Sequence, residues 1–489
     1  MWASDMQNTA FIKTSSSTIV LVYDVGSTYT KAAALMLNST GIGLLGQAKV
    51  PTNVADIETS INAIEEAFSD ILTGRPAPEV YASSSAAGGL RMAAIGFMPD
   101  VTVKAAKEVA MTAGARVLEV LSYLQHPVLK IEILREISPD IILLAGGTNG
   151  GDTQSIIEDA KIIVRSRTKA MVVIAGNETA QYEVGEILRM GGITSTRVPN
   201  IMPTIHELHV GPARKVIHNR FISQITKVES LGRLVSKVTN GLVVPTPGAV
   251  LMGAEMLSMG TFEGDGIGDL VVVDIGGATT DIHSVLPSKK QRPIEEVGLI
   301  FNNEQEVSYR TVEGNLGLRI NAAGIVETVG PKAVLAKVGL QGGDAIKGLT
   351  EYVELLERSN DHIAQSDTEQ VYDEALAIVA AEVALKRHAG YLSSVYDPVT
   401  GCAPGTPVGR HLRKVRYIVG VGGIFNHSSQ ERRQQILRGA LENPGITLIP
   451  RDAKILIDDK YLLYAVGILG QVYPNHAHEL ACSFISKGG

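Results

Sequence analysis

Two segments about half the chain apart carry one pattern: a run of aliphatic and β-branched residues, then Asp-x-Gly-[Ser/Gly]-x-x-Thr. The first is Ile19-Val-Leu-Val-Tyr-Asp-Val-Gly-Ser-Thr-Tyr-Thr-Lys31; the second is Leu270-Val-Val-Val-Asp-Ile-Gly-Gly-Ala-Thr-Thr-Asp281. Asp24 aligns with Asp274, Gly26 with Gly276 and Thr30 with Thr280. Each copy reads as a buried strand entering a hairpin tip. One such turn is common and says little. Two at matching positions point to a chain that builds the same local structure twice.

The residue types suit a phosphate cradle. Glycine at a hairpin tip lets backbone N–H groups converge on an anion, and hydroxyls add donors. The candidate phosphate contacts are Gly26, Ser27, Thr28, Thr30 and Lys31 in the first copy, and Gly276, Gly277, Ala278, Thr279 and Thr280 in the second. An Asp at a strand end can hold Mg²⁺ through water, because Mg²⁺ takes few carboxylates and keeps much of its hydration. Asp24 and Asp274 are therefore the expected catalytic and Mg²⁺-side carboxylates. Which of them orients an attacking water is left open, and Glu313 is a secondary candidate.

Further apolar runs ending at glycine corners occur at Asp140–Leu144, Ala170–Ile174 and Arg416–Val421. Continuous runs of this kind predict strands covered on both faces. Helical periodicity lies between them, at Ile57–Leu72 and Val371–Ala389. The alternation predicts an α/β fold. The expected domains are a first lobe (1–90), an inserted α/β subdomain (91–241), a second lobe (242–458) and a C-terminal helix returning to the first lobe (459–489).

The net charge of −7 argues against a nucleic-acid surface. Cys402 and Cys482 are too few for a disulfide framework, which predicts a reducing, cytoplasmic setting. No secretory signal is expected at the start, and the longest apolar runs are too short to span a bilayer, so no membrane role is expected. His206-Glu-Leu-His209 lacks the spacing of a zinc helix. His476, His478 and Cys482 lack an evident fourth ligand. Asp281-Ile-His283 approaches a cobalamin-binding pattern, but Leu286 stands where glycine is needed, so His283 reads as a strand residue. Arg387-His388 reads as the polar face of a helix.

Tyr417-Ile-Val-Gly-Val-Gly-Gly-Ile-Phe425 adds a strand running into a Gly-Gly turn. With the two hairpins, in this order, it resembles the three nucleotide motifs of the actin/Hsp70/sugar-kinase superfamily. That resemblance implies a two-lobed actin-like ATPase fold of duplicated ribonuclease-H-like domains, with ATP and Mg²⁺ as ligands and Gly420, Gly422, Gly423 and Ile424 at the adenosine. It also implies connecting helices at Pro247–Leu257 and Tyr461–Gly470. Ser83–Gly96, Ile142–Asp152, Arg310–Arg319 and Lys386–Gly390 resemble the glutamate mutase (methylaspartate mutase) accessory proteins, the MutL family of cobalamin-mutase operons. The resemblance implies an ATPase that reactivates an adenosylcobalamin-dependent mutase partner by releasing damaged cobalamin. A small-molecule kinase, an ATP-dependent amidohydrolase or a filament-forming actin relative are the rival readings on this scaffold. Oligomeric state is left open, a homo-oligomer included.

Overall fold

The computed structural model describes residues 17–26, 28–53, 56–85, 90–96, 115–204, 209–225, 232–239, 243–288, 307–396 and 403–487. Its strands are β1 (Thr18–Val25), β2 (Tyr29–Asn38), β3 (Gly41–Pro51), β4 (Glu79–Ser84), β5 (Leu90–Ile95) and β6 (Ala115–Leu121). Then follow β7 (Ile141–Leu144), β8 (Met171–Ile174), β9 (Ser195–Arg197), β10 (Val243–Pro245), β11 (Leu270–Ile275) and β12 (Thr280–Val285). The last are β13 (Ser308–Glu313), β14 (Tyr391–Leu392), β15 (Pro407–Val408), β16 (Tyr417–Val421), β17 (Lys454–Asp458) and β18 (Ile485–Lys487).

The sequence repeat is a repeat of sheet topology. In the first sheet, ordered β10-β4-β1-β2-β3, β1 pairs antiparallel with β2 and parallel with β4. In the second, ordered β13-β12-β11-β16-β17-β18, β11 pairs antiparallel with β12 and parallel with β16. A third sheet, β6-β5-β7-β8-β9, is wholly parallel and lies between them in the chain. β14 and β15 form a short ribbon.

Strand alternation decides what each face covers. On β1, Leu21, Tyr23 and Val25 enter a core shared with the third sheet, whereas Val20 and Val22 face a central layer. On β11, Leu270 and Val272 face that same central layer, and Val271, Val273 and Ile275 face the outer helices. Three helices fill the central layer: Thr246–Met259, Leu463–Leu469 and Pro474–Phe484. The first two cross almost backbone to backbone. A Cβ on Gly253 would lie 2.1 Å from the Leu463 carbonyl, and one on Gly467 would lie 1.9 Å from the Ala249 carbonyl. Both sheets are thus covered on both faces, as the unbroken apolar runs predict.

Two expected helices differ in detail. Ile57–Leu72 is divided at Phe68 into Ile57–Ala67 and Ser69–Leu72; the Phe68 N–H is shared between the Ile64 and Glu65 carbonyls, and its ring is buried. The Val371–Ala389 helix starts earlier, as Asp367–His388, because the Ser366 hydroxyl accepts the Glu369 N–H at 3.2 Å and caps it. Among the described residues, no helix is long and apolar enough to cross a membrane.

Candidate active site

Asp24 and Asp274 stand at the same place in their hairpins. Asp24 is opposite Lys31 on β2, and Asp274 is opposite Asp281 on β12. Each turn is closed the same way: Gly26 N–H donates to Tyr29 O at 3.0 Å, and Gly276 N–H donates to Thr279 O at 2.9 Å. Strand parity places both Asp side chains on the faces that meet the central helices, so the two sheets aim them into one layer. The turn tips also meet. A Cβ on Gly277 would lie 2.6 Å from Thr28 Oγ1, so only a bare backbone fits between the hairpins.

Asp24 is buried, and Ser83 Oγ (2.9 Å) and Thr246 Oγ1 (2.6 Å) both donate to its Oδ1. One donor comes from β4 and the other from the start of a central helix, so the carboxylate is fixed by two elements. Asp274 is half-buried. Burial, reinforced by the negative charge of Asp281 and opposed by Lys31, pushes its carboxyl up to about 7. Asp281 itself is paired: Arg310 Nε donates to it at 2.8 Å and Thr279 Oγ1 at 3.0 Å.

A third strand-ending carboxylate joins them. Asp458, at the end of β17, shares the central-layer parity with Leu456 and is completely buried. It accepts the Leu462 and Leu463 N–H groups at 2.9 and 2.8 Å, capping the helix Leu463–Leu469. Burial raises its carboxyl to about 6 against those two hydrogen bonds. Lys31 lies among Asp24, Asp274 and Asp458, with Nζ 3.1 Å from the ring centroid of Tyr461. Burial lowers the Lys31 ammonium to about 8, against the pull of Asp24. Asp458 and Tyr461 were not among the expected site residues. Their signal was present: Ile455-Leu-Ile-Asp458 is a third apolar run ending in Asp.

The other expected residues divide by direction. Thr30 Oγ1 pairs with Thr52 Oγ1 at 2.9 Å, and Thr280 Oγ1 donates to Leu316 O at 2.6 Å, so both hydroxyls brace the turns from behind. Gly277 O accepts the Arg319 and Ile320 N–H groups, and Ala278 O accepts from Asn321 Nδ2, tying the second turn to the 314–321 loop. Thr279 reaches Asp281. Gly422 sits against Ile275 O, beside the second hairpin, and Gly423 borders open space. Gly420 instead lies under the ring of Phe425 on the outer face, and Ile424 is packed in that outer core. Ser27 and His206 lie outside the described residues.

Further contacts join the two halves. Tyr29 Oη donates to Asp361 O at 2.7 Å, Lys49 Nζ meets His427 Nε2 at 3.0 Å, and Gln47 Nε2 donates to Lys460 O at 2.7 Å. Glu313 is held by Arg387 at 2.5 Å. His388 is buried between Thr311 and Ser284, and His283 is a buried β12 residue kept neutral by desolvation. His476 contacts Asn38 O, while His478 and Cys482 are 3.7 Å apart. Among the described residues, no three His, Cys, Asp or Glu side chains group closely enough to hold a metal unaided. Mg²⁺ fits such a site, since it takes one or two carboxylates and completes its shell with water and phosphate oxygens.

Among the solved structures similar to this chain, three illustrate the low scores. A glycerol dehydratase reactivase has a TM-score of 0.32 at 10% identity, over 93% of this chain and 100% of the other. The ROK hexokinase from Thermus thermophilus scores 0.25 at 10% identity, over 93% and 99%. The Ppx/GppA family member from Aquifex aeolicus scores 0.23 at 10% identity, over 96% and 92%. Such scores leave the fold to be read from the sheets themselves. Sequence similarity is far stronger: Protein MutL of Clostridium tetanomorphum is 36% identical over 477 residues, covering 96% of this chain and 99% of that protein. The family model described as MutL protein matches residues 20–485, from the first strand to the last, and the chain belongs to the MutL family.

Proposed function

We propose that this MutL-family chain binds and hydrolyses Mg-ATP between its two hairpins. In this reading, domain closure reactivates an adenosylcobalamin-dependent mutase of the glutamate mutase or aminomutase type by releasing damaged cobalamin. The observation that carries the nucleotide reading is the meeting of Thr28 with Gly277, with Asp24 and Asp274 aimed into one layer behind them. Two backbone turns converging from separate sheets suit a phosphate chain held from both sides.

Bound Mg²⁺ would neutralise phosphate charge. Asp24, pre-set by Ser83 and Thr246, suits the metal-side role; Asp274, poised near neutrality, suits orienting a water. In this reading Lys31 would meet a phosphate, and Gly422 and Gly423 would border the nucleoside. A clamp across the crossing of two helices supplies two states, and a partner that prefers one of them is driven by the nucleotide cycle. The first lobe, inserted subdomain, second lobe and returning helix are the bodies assigned to that motion, in a cytoplasmic protein.

The test is reactivation. A mutase inactivated with hydroxocobalamin is incubated with the protein and Mg-ATP, then given fresh adenosylcobalamin. Recovered turnover that requires hydrolysable ATP is the expected result. ATP turnover stimulated only by a small-molecule substrate would transfer the chain to the kinase or amidohydrolase reading, and ATP-dependent light scattering to the filament reading.

A further inference from the structure

Away from the cleft, a short loop presents a fully exposed aromatic ring. Phe262 stands in the 260–266 segment and is followed by the exposed acids Glu263 and Asp265. The loop is stiff. Thr261 N–H donates to Gly264 O at 2.8 Å, Ile267 N–H to Leu257 O at 2.9 Å, and Gly260 bridges Asp265. The close approaches leave no room for side chains: a Cβ on Gly260 would lie 2.1 Å from Gly264 O, and one on Gly266 would lie 2.2 Å from Ser258 O. A rigid, solvated phenylalanine is costly to leave in water and loses little entropy on docking, which are the properties of an interface anchor.

Beside it runs a groove of about 900 Å³. Its apolar floor includes Leu257 and Ile267, the two stem residues of the loop, together with Leu441 and Ile485. Its rim carries Arg438, Arg451 and Lys454, all exposed, with Glu442 as the single acidic lining residue among those described. The chain is acidic overall at −7, so this basic rim runs against its average. An aromatic knob followed by two acids thus adjoins an apolar groove edged by three bases, and the two share Leu257 and Ile267 as a wall.

We propose that the chain forms a twofold dimer in which each copy seats Phe262 in the groove of the other, with Glu263 and Asp265 against Arg438, Arg451 and Lys454. Because knob and groove lie on one face, two identical contacts close around a single axis instead of propagating. The charges select register and speed encounter, and the ring supplies the buried anchor. The dimer needs no nucleotide, so it stands apart from the reading of the cleft.

Sedimentation velocity of the full chain at micromolar concentrations tests this. The wild type is expected to dimerise. Phe262→Asp, and separately Arg451→Glu with Lys454→Glu, should each weaken the dimer by about 30-fold or more, the scale of an interface hot spot. Both changes are on exposed side chains, and an unchanged thermal melt confirms folding. Mixing the two defective variants restores one intact knob-and-groove contact, so a heterodimer tighter than either homodimer is expected. A monomeric wild type would overturn the proposal and assign the groove to a different protein. A dimer indifferent to both variants, or a mixture with no gain, would overturn it equally.

Discussion

Thr28 and Gly277 touch across the cleft: a β-carbon on Gly277 would lie 2.6 Å from Thr28 Oγ1. The two residues come from different sheets, so their meeting reports how far the halves have closed. A branched side chain at position 277 would hold the turns apart. Gly277→Val is expected to weaken nucleotide binding about tenfold or more and, by overpacking the contact with Thr28, to cost about 1–3 kcal/mol of stability. Titration with a fluorescent ATP analogue and a denaturant melt check the two halves of this prediction.

Asp274 makes a prediction about pH. Its folded-state carboxyl titrates near 7, above the ordinary 3.8. Between those values the unfolded chain is ionised while the folded chain holds the proton, so stability falls as pH rises through the window. Activity runs the other way, because only the carboxylate can orient water or hold a metal-bound water. ATP hydrolysis should decline as pH drops through about 7. Asp274→Asn should lose about 100-fold or more in rate, become insensitive to pH there, and be more stable than wild type at pH 8 but not at pH 4. A variant that keeps the wild-type pH profile would remove Asp274 from the mechanism.

Asp458 combines a cap with a charge. Its two oxygens accept the Leu462 and Leu463 N–H groups inside a fully buried site. Asp458→Ala leaves both donors unmet and should cost about 2–3 kcal/mol. Asp458→Asn keeps an acceptor for the cap and should cost less. If the charge also matters to the nucleotide, the Asn variant will bind ATP differently at near-normal stability, which calorimetry can separate.

The crossing of Thr246–Met259 with Leu463–Leu469 is the tightest contact between helices in the central layer. Gly467→Ala places a methyl against the Ala249 carbonyl. Overpacking of this kind costs about 1–3 kcal/mol. The helices also support Asp24, through Thr246, and Asp458, through the Leu462 and Leu463 N–H groups, so the variant should lower ATP hydrolysis while conservative changes on the exposed face of Pro474–Phe484 do not. Thermal melts and steady-state hydrolysis measured together provide the check.

Much of this was legible in the residues. The two Asp-x-Gly hairpins, their strands and the Gly-Gly turn after β16 can be read directly, because an apolar run ending in a glycine corner is a local signal. The helix Asp367–His388 shows as a long Ala-rich segment, and Thr246–Met259 through the resemblance of Pro247–Leu257 to a connecting helix. The family also follows from sequence, as the 36% identity along nearly the whole chain bears out.

What sequence alone could not decide was direction. Asp24, Lys31, Asp274 and Asp458 share a layer because each has the strand parity that faces the central helices, whereas Thr30 and Thr280 are one residue out of step and turn to the far sides. By the same rule Gly420 faces the outer core, under Phe425. Alternation states that neighbouring side chains oppose each other; only the packing of two sheets on the three central helices says which of the two faces is the site. The Thr28–Gly277 contact and the groove beside Phe262 likewise join residues distant in the chain, and such pairings exist only once the backbone has closed.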